Sequence, residues 1–431
     1  MSTPHIVVAG GGYVGMYTAL GLQKALRKRE ARVTVIDPRS AMTYQPFLPE
    51  AAAGSVEPRH VVVPLRRTLK GCDVLTARVT AIDHAARTVR VEPPSGAPYD
   101  LAYDELVVAL GSVSRTLPVP GLAEHGRGFK QIEEAISLRN QVLECLDTAA
   151  SVQDPVVRAS TLTFVFVGGG YAGVEALAEI EDMARFATRY YETISEDDLR
   201  FVLVEAADRI LPEVGPDMGR YTVDRLVDRS IDVRLNTRLD SYTDRHVVLS
   251  DGEEFDAATL VWTAGVKANP VLASSDLPLD EKGRLMALPD LSVEGVEHAW
   301  TAGDNAAVPD LTSPGAMCSP SAQHAVRQAR VLAANIVRSL RGEELQDYAH
   351  KHAGSVASLG LHKGVAQVYG VKLKGFPAWF MHRTYHMSRM PTFNKKVRVV
   401  LDWTLALFFR RDVVSLGPLQ RPRDDFERAN L

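Results

Sequence analysis

Gly10-Gly11-Gly12-Tyr13-Val14-Gly15 decides the fold of this chain, and Gly168-Gly169-Gly170-Tyr171-Ala172-Gly173 repeats it. Each copy follows an apolar, β-rich run and precedes a helix-like stretch. One G-x-G-x-x-G is weak evidence, because glycine-rich turns are common. Two copies, each followed by a second strand that ends in an acid, predict two dinucleotide-binding sites. We therefore expect an α/β fold with two Rossmann-like domains.

The glycines of such a motif have separate roles. The first makes the tight turn, the second lets backbone approach a pyrophosphate, and the third lets the helix pack on the strand. The diphosphate would lie at the helix N-terminus, where free N–H groups and the helix dipole favour an anion. The predicted binding glycines are Gly10, Gly12 and Gly15 at one site and Gly168, Gly170 and Gly173 at the other. Two sites in one polypeptide suggest two dinucleotides that exchange electrons.

An acid closes the second strand of each motif. Asp37 ends the predicted strand Arg32–Asp37, where a carboxylate can accept hydrogen bonds from an adenosine ribose. The alternative is a surface aspartate before the turn-forming Pro38. Glu205 closes the other strand, and its charge should repel a 2′-phosphate, which favours NADH over NADPH. Arg209, four residues later, could weaken that preference.

The later strands indicate a nested organisation. Two apolar strands end at Gly111 and at Gly265, and a third leads into Gly303-Asp304. The pattern predicts one nucleotide domain, residues 1–115 and 265–345, with a second, residues 116–264, inserted into it. Residues 346–431 belong to neither sheet pattern.

These features together resemble the pyridine nucleotide-disulfide oxidoreductase superfamily over residues 5–345. The resemblance implies FAD in the outer domain, with Asp304 bonding the ribityl chain of the flavin, and the nicotinamide cofactor in the insert. The cysteines are Cys72, Cys145 and Cys318, which include no C-x-x-C pair. Their spacing argues for a reducing compartment, against a disulfide or metal framework, and against dithiol flavin reductases.

Two polar positions near the motifs are candidates for chemistry. Glu175 lies two residues past Gly173, where a carboxylate could simply favour the helix dipole. It could instead face the flavin and handle protons or the nicotinamide. A second helix is predicted to begin at Ser319-Pro320-Ser321, because Ser and Pro are good residues for a helix start. Its Gln-His face indicates a site near the flavin, and a capped surface helix is the alternative.

The C-terminal region is basic and aromatic. No acidic residue lies between Asp347 and Asp402, whereas the same stretch holds nine Lys and Arg and five His residues, Arg383 among the cations. Val397–Phe409 is mostly apolar, and Lys395-Lys396 and Arg410-Arg411 flank it. Thirteen residues cannot span a bilayer, but a helix of this composition suits the headgroup region of an anionic membrane. A dimer face and a nucleic-acid surface are the alternatives, although no nucleic-acid-binding motif is present.

With this tail the resemblance narrows to the type II NADH dehydrogenases, and it covers essentially the whole chain. It rests on Gly173-Val174-Glu175, on Gly375-Phe376-Pro377-Ala378-Trp379, and on Ala322-Gln323-His324-Ala325-Val326-Arg327, which is similar to the family's quinone motif A-Q-x-A-x-Q. Arg327 stands where the family has its second Gln, and Gln328 comes one position late. That shift turns the amide by about 100° on a helix, which leaves quinone identity and even quinone use open.

The resemblance implies a non-pumping NADH:quinone oxidoreductase with FAD and NADH as cofactors and Glu175, Gln323 and Arg327 near the quinone, menaquinone being the expected one. It further implies a homodimer, peripheral on the cytoplasmic face of the cell membrane, with no nucleic-acid partner. One alternative is a soluble FAD-dependent NAD(P)H reductase acting on another organic or protein acceptor. Another is a non-catalytic flavoprotein that senses NADH by dimerising. Sulfide:quinone chemistry is disfavoured because it needs a redox cysteine pair.

Overall fold

The computed structural model describes residues 3–351, 354–409 and 411–415. Arg410 and residues 416–431 of the predicted C-terminal region lie outside the described residues. The α-helices are α1 (Tyr13–Ala25), α2 (Leu48–Ala52), α3 (Leu65–Thr68), α4 (Leu122–His125), α5 (Ile132–Ser151), α6 (Pro155–Thr161), α7 (Tyr171–Thr188), α8 (Pro216–Val227), α9 (Ala322–Leu340), α10 (Phe376–Arg389) and α11 (Phe393–Phe408).

The strands are short and are spread along the chain. They are β1 (His5–Ala9), β2 (Arg32–Asp37), β3 (Ala41–Thr43), β4 (Val62–Pro64), β5 (Asp73–Thr76), β6 (Arg78–Asp83), β7 (Thr88–Glu92), β8 (Tyr99–Ala102), β9 (Glu105–Val108), β10 (Ser112–Ser114), β11 (Arg127–Gly128), β12 (Thr163–Val167), β13 (Arg200–Val204), β14 (Ile231–Arg234), β15 (Leu239–Thr243), β16 (His246–Leu249), β17 (Glu254–Asp256), β18 (Thr259–Trp262), β19 (Val266–Ala268), β20 (Leu285–Met286), β21 (Ala299–Thr301), β22 (Ala306–Ala307), β23 (Gly354–Ser358), β24 (Gly364–Val368) and β25 (Val371–Lys374).

The chain forms two compact units. The first comprises Met1–Met42, Val63–Val113 and Val266–His352, and the second comprises Thr43–Val62, Ser114–Gly265 and Ala353–Leu431. This division differs from the predicted domains in two places. Residues 43–62 belong to the second unit rather than to the outer domain, and the C-terminal strands and helices belong there too. The assignment of one nucleotide to each predicted domain stays a prediction.

The first unit is built on a parallel sheet with the strand order β21-β9-β1-β2-β5. Every residue of the central strand β1 is buried. A strand covered on both faces reads as a continuous apolar run rather than an alternating one, which is why His5–Ala9 shows no polar alternation. Helices α1 and α9 pack against each other, and an antiparallel sheet, β6-β7-β8, completes the unit.

The second unit repeats this design. Its parallel sheet has the order β11-β18-β12-β13-β14, with the glycine-motif strand β12 again in the centre. Phe164 and Phe201 on neighbouring strands stack at 5.0 Å within its core. The two parallel sheets confirm the predicted pair of Rossmann-like folds.

The C-terminal elements add an antiparallel meander, β23-β24-β25, followed by α10 and α11. Ala357, Leu359 and Val365 from the meander lie in the same core as the parallel sheet of the second unit. The meander therefore shares an apolar core with that sheet. Among the described residues, no helix is both long and apolar enough to cross a membrane.

Candidate active site

The two glycine turns have the same construction. A Cβ atom on Gly15 would lie 1.7 Å from the carbonyl oxygen of Gly10, and one on Gly173 would lie 1.9 Å from that of Gly168. Only glycine allows so close a passage of helix over strand. A Cβ on Gly12 or Gly170, in contrast, would meet nothing within 4 Å. The middle glycine thus leaves an open approach to the backbone at each turn.

Both turns lead into helices whose first N–H groups receive no side-chain cap. Gly12 and Gly170 are the N-cap residues of α1 and α7, and neither helix has an acidic residue in its first turn. Uncapped N–H groups and the helix dipole together favour an anion. The residues of each turn therefore fit the diphosphate of a dinucleotide.

The acid that closes each second strand is held by the turn of its own motif. Asp37 accepts a hydrogen bond from the Gly11 N–H at 2.7 Å and another from the Arg39 N–H at 2.8 Å. Glu205 accepts from the Gly169 N–H at 2.5 Å and the Ala207 N–H at 2.7 Å. Burial raises the pKa of Asp37. In both units the carboxylate is fixed at the strand end beside the glycine turn, where a ribose would be bound.

The Gly303-Asp304 turn follows β21 in the first unit. Asp304 accepts a hydrogen bond from the Ser112 hydroxyl at 2.7 Å, and the Asn305 side chain accepts one from the Gly111 N–H at 2.9 Å. Both predicted positions, Gly111 and Asp304, thus meet at one edge of the sheet. Asn305 joins them and was not identified from sequence, although it directly follows the Gly-Asp pair.

Helix α9 begins where the sequence predicts. Ser321 is its N-cap and accepts a hydrogen bond from the His324 N–H at 3.2 Å. The side-chain oxygen of Gln323 lies 3.1 Å from Nε2 of His350. The Arg327 guanidinium donates to the carbonyl of Gln323 at 2.9 Å. The two candidate residues are therefore neighbours on one turn of α9.

Gln328 does not replace the glutamine that the quinone motif lacks. Its side chain is 1% exposed and accepts a hydrogen bond from the Gly303 N–H at 2.8 Å. The one-position shift turns this amide inward, onto the Gly-Asp turn of its own unit. Arg327 remains as the half-buried residue at the motif position.

Glu175 lies on α7, beyond the first helical turn, where the helix-dipole explanation has little weight. Its Oε1 accepts a hydrogen bond from the Ser358 N–H at 2.8 Å and lies 3.0 Å from Nε2 of His382 on α10. The side chain of His382 is 2% exposed and that of Glu175 is 10% exposed. The carboxylate is thus a buried partner of the C-terminal elements.

Three further charged residues, Glu50, Glu179 and Arg383, lie close to this pair within the second unit. Glu179 lies one turn along α7 from Glu175 and accepts a hydrogen bond from the Ser358 hydroxyl at 3.0 Å. Glu50 on α2 accepts one from the Trp403 indole at 2.9 Å and pairs with Arg383 at 3.0 Å. We call Glu50, Glu175, Glu179, His382 and Arg383 the buried cluster. The buried cluster contains three carboxyl groups, one guanidinium and one imidazole.

Two groups of the buried cluster, Glu179 and His382, have raised pKa values. Burial, followed by the charge of Glu50, raises the pKa of Glu179 to about 7. Burial lowers the pKa of His382, but the charge and hydrogen bond of Glu175 and the charges of Glu50 and Glu179 raise it, and the net direction is upward. His386, the next histidine on α10, has its pKa lowered well below the usual value by burial and by His382. The pKa values of the two histidines are thus shifted in opposite directions.

The buried cluster, apart from Glu175, was not predicted from sequence. Arg383 was expected among the cations offered to lipid, but it is 8% exposed and neutralises Glu50. The spacing of Glu175 and Glu179, four residues apart on one helix face, was a usable signal. Nothing local marks Glu50 as a partner of Arg383, since they are far apart in the chain.

Helix α11 carries an apolar surface. Val399 is fully buried, and Asp402 accepts hydrogen bonds from the His60 side chain at 2.6 Å and the Glu57 N–H at 3.1 Å. The other faces expose large apolar side chains, namely Val400, Leu401, Leu405, Leu407 and Phe408. We call these five residues the apolar stripe. One side of α11 is therefore fixed to its unit while most of its apolar side chains meet solvent.

Comparison with known proteins gives a consistent result. Residues 4–329 match the pyridine nucleotide-disulphide oxidoreductase family, and residues 352–412 match the NDH2 C-terminal domain. The chain is 32% identical over 385 residues to a type II NADH:quinone oxidoreductase of Staphylococcus aureus, covering 88% of this chain and 93% of that protein. It is 29% identical over 422 residues to the type II NADH:quinone oxidoreductase Ndh of Mycobacterium tuberculosis, covering 94% and 89%.

A solved structure supports the same fold. The structure of NDH2 from Plasmodium falciparum in complex with NADH matches this chain with a TM-score of 0.88 and 18% sequence identity. The match covers 96% of this chain and 100% of that one. At this identity it is the arrangement of strands and helices that the two proteins share.

Proposed function

The chain belongs to the pyridine nucleotide-disulphide oxidoreductase family and, within it, to the type II NADH:quinone oxidoreductases, and from this premise we propose how its residues carry out the reaction. The overall conversion is NADH + H⁺ + quinone → NAD⁺ + quinol. One observation carries the proposal. In each unit a backbone N–H of the glycine turn donates a hydrogen bond to the acid that closes the next strand, Gly11 to Asp37 and Gly169 to Glu205. One chain thus carries the elements of two dinucleotide sites.

NADH binds the second unit. Gly170 at the N-terminus of α7 would hold its diphosphate, with Gly168 and Gly173 shaping the turn. Glu205 accepts hydrogen bonds from the adenosine ribose and rejects a 2′-phosphate. Gly265 follows β18 at the same edge of the sheet, and a Cβ there would meet nothing within 4 Å, so its backbone is open to the nicotinamide half.

FAD binds the first unit through Gly10, Gly12, Gly15 and Asp37 for the adenosine half. Gly111, Gly303 and Asp304 would hold the ribityl and ring portion, and the Asn305 side chain fixes the Gly111 backbone by accepting a hydrogen bond from its N–H. The flavin, when bound, accepts a hydride from NADH and returns two electrons to the quinone. The protein supplies orientation, exclusion of water and protons.

Glu175, Gln323 and Arg327 serve the quinone. The Gln323 amide and the Arg327 guanidinium offer hydrogen bonds to a quinone carbonyl oxygen, and the Arg327 charge stabilises the oxyanion that forms there. Glu175 handles a proton. Support for its role comes from its burial and from its contact with His382, which a carboxylate serving only the helix dipole would not need.

The apolar stripe rests in the headgroup region of the cytoplasmic leaflet. Large apolar side chains on a helix fixed by Val399 and Asp402 suit an interfacial position. Arg389 and Arg398 are exposed nearby in sequence and suit anionic lipid. The exposed apolar side chains of the same C-terminal region also suit a homodimer contact.

Quinone reduction by the purified protein tests the proposal. The yellow protein should bleach on NADH addition in the absence of air and regain its colour with a menaquinone or ubiquinone analogue. Anionic liposomes should bind the protein and raise turnover with long-chain quinones. Colourless protein, or pigment that NADH leaves oxidised, would contradict the cofactor assignment. Bleaching followed by reoxidation only with soluble acceptors would favour the soluble reductase.

A further inference from the structure

The imidazole of His382 lies against the carboxylate of Glu175 inside the second unit. Nε2 of His382 and Oε1 of Glu175 are 3.0 Å apart, and the His382 side chain is 2% exposed. We propose that His382 holds a proton beside Glu175 and passes it through Glu175 to the quinone as the quinol forms. This inference rests on the proposed function and adds to it a residue on α10.

The geometry selects His382 rather than a neighbouring residue. Oε1 of Glu175 accepts a hydrogen bond from the Ser358 N–H at 2.8 Å and lies within ion-pair distance of the imidazole, 3.0 Å from Nε2. The Ser358 N–H is a backbone group and cannot give up its proton at neutral pH, whereas an imidazolium can. Within the described residues, His382 is the titratable cation that contacts this carboxylate.

The titratable groups that face His382 come from α7, from α2 and from α10 itself. Glu175 and Glu179 face it from α7 and Glu50 from α2, all as carboxyl groups. His386 on its own helix has its ring centroid 4.6 Å from that of His382. Arg383, also on α10, is directed to Glu50. Because carboxyl groups outnumber cations, the surroundings favour the charged imidazole, in keeping with the raised pKa of His382.

The stoichiometry requires a second proton in addition to the hydride. Two electrons and two protons convert a quinone to a quinol, and NADH supplies both electrons and one proton as a hydride. The second proton comes from water. The step proposed here breaks the Nε2–H bond of His382 and forms an O–H bond on the Glu175 carboxylate. Glu175 then passes that proton to the quinone oxygen and returns to its ionised form. His382 is then neutral and takes up a proton from solvent before the next turnover.

Buried acceptors behind His382 offer the path for that uptake. Within the described part of the chain, Oε2 of Glu179 and Oε1 of Glu50 have no hydrogen-bond partner. Neither ring nitrogen of His382 has one, and Nε2 makes its ion-pair contact with Glu175 alone. Buried polar atoms that lack a protein partner are usually bonded to water. A carboxyl group with a pKa of about 7, as at Glu179, exchanges protons readily at neutral pH. Glu179 is therefore the candidate for returning a proton to His382.

The first test measures the two half-reactions by stopped flow in H382Q. Glutamine retains an N–H donor but cannot release a proton. Flavin reduction by NADH should proceed at the wild-type rate, and reoxidation by quinone should slow about tenfold, since general acid catalysis contributes roughly 10²–10⁴-fold and Glu175 remains. The wild-type reoxidation rate should fall as pH rises through the pKa of His382, and this dependence should vanish in H382Q.

H386Q is the matched control. It makes the same substitution one turn along the same helix, at a histidine held neutral, and should keep the wild-type pH profile. E175Q and the double variant E175Q/H382Q should both reoxidise slowly, and the double variant no more slowly than E175Q. The inference would be overturned if the double variant reoxidised more slowly than E175Q, by the product of the two single effects. It would also be overturned if the pH profile of reoxidation in H382Q equalled that of the wild type.

The second test needs no turnover. Histidine labelled with ¹⁵N reports the protonation of each imidazole, and comparison with H382Q assigns the His382 signals. We expect His382 to titrate above the usual range for histidine and its pKa to fall in E175Q. Equal titration in wild type and E175Q would refute the coupling, even if H382Q were slow. These titrations do not depend on quinone reduction. If the wild-type protein never reduces a quinone, the proposed function is wrong, whatever the titrations show.

Discussion

The Trp403 indole donates a hydrogen bond to Oε2 of Glu50 at 2.9 Å. Arg383 lies 3.0 Å from the same oxygen, and its guanidinium stacks 4.2 Å above the Trp379 ring and 4.9 Å above the Trp403 ring. One buried carboxylate on α2 thereby joins α10 and α11. These three helices are held together by charge as well as by apolar contact.

Replacing Arg383 with methionine should destabilise the protein strongly. The change leaves Glu50 buried without a counter-charge, and loss of one partner of a buried pair costs about 3–5 kcal/mol. Thermal unfolding measures the effect. R389M, an exposed site on the same helix, should shift stability by no more than about 0.5 kcal/mol. Equal melting temperatures for the two variants would show that Arg383 does not neutralise Glu50.

Glu179 makes stability depend on pH. Its pKa is raised from 4.5 to about 7 in the folded chain, so the native state keeps a proton that the unfolded state releases. The favourable contribution is complete below pH 4.5 and is lost as pH rises through 7. E179Q cannot ionise, and its stability relative to wild type should rise across this window by about 3 kcal/mol at most. Melting temperatures of both proteins at pH 5 and pH 8 test this, and a constant difference would contradict it.

Glu205 should determine the choice of nicotinamide cofactor. E205A removes the carboxylate held by the Gly169 and Ala207 N–H groups. Hydrogen bonds to a charged group contribute about 1.5–3 kcal/mol, so kcat/KM for NADH should fall by about 10- to 100-fold, and activity with NADPH should rise relative to NADH. Steady-state kinetics with both cofactors measure the ratio. R209A, four residues past Glu205, is the comparison variant. If Arg209 weakens the preference for NADH, R209A should raise the ratio of activity with NADH to activity with NADPH.

Glu175 should matter to one half-reaction alone. E175A is expected to slow quinone-driven reoxidation by roughly 10²-fold, the lower end for general acid catalysis, and to leave reduction by NADH close to the wild-type rate. Rapid mixing under anaerobic conditions separates the two steps. Unchanged steady-state rates with quinone would remove Glu175 from the mechanism.

The apolar stripe should mediate vesicle binding. L401D/L405D places two charges on the exposed side of α11, and co-sedimentation with anionic liposomes should fall at least tenfold because inserted apolar area is lost. V156D/V157D makes the same substitutions at two exposed valines on α6 and should bind like the wild type. If the stripe serves a dimer instead, sedimentation velocity will show L401D/L405D as a monomer while liposome binding persists.

The fold could be predicted from sequence because its signals are local. A glycine turn, the apolar strand before it and the acid after it lie within a short segment, and each is required by the same turn geometry. The N-cap at Ser321 was equally local, since a hydroxyl before a helix satisfies an N–H of its first turn. These predictions needed no knowledge of tertiary contacts.

The buried cluster could not be predicted in this way. Arg383 and Lys395 look alike in a basic, aromatic sequence, yet one neutralises Glu50 and the other donates to the Arg59 carbonyl. Whether a cation meets lipid, solvent or a buried acid depends on residues hundreds of positions away. The C-terminal charge imbalance was therefore partly misread, because some of its cations balance acids from the first half of the chain.

The order of segments in the second unit bears on how the protein is made. Glu50 and Trp403 are bonded across 353 residues, so Glu50 leaves the ribosome long before the residues that neutralise it. Until α10 and α11 are made, the segment 43–62 cannot pack fully and Glu50 stays hydrated. The first glycine motif, in contrast, can already form its hydrogen bond with Asp37 at the end of β2. Completion of the second unit therefore falls after synthesis of α11, and this late step is where a chaperone would have most to protect.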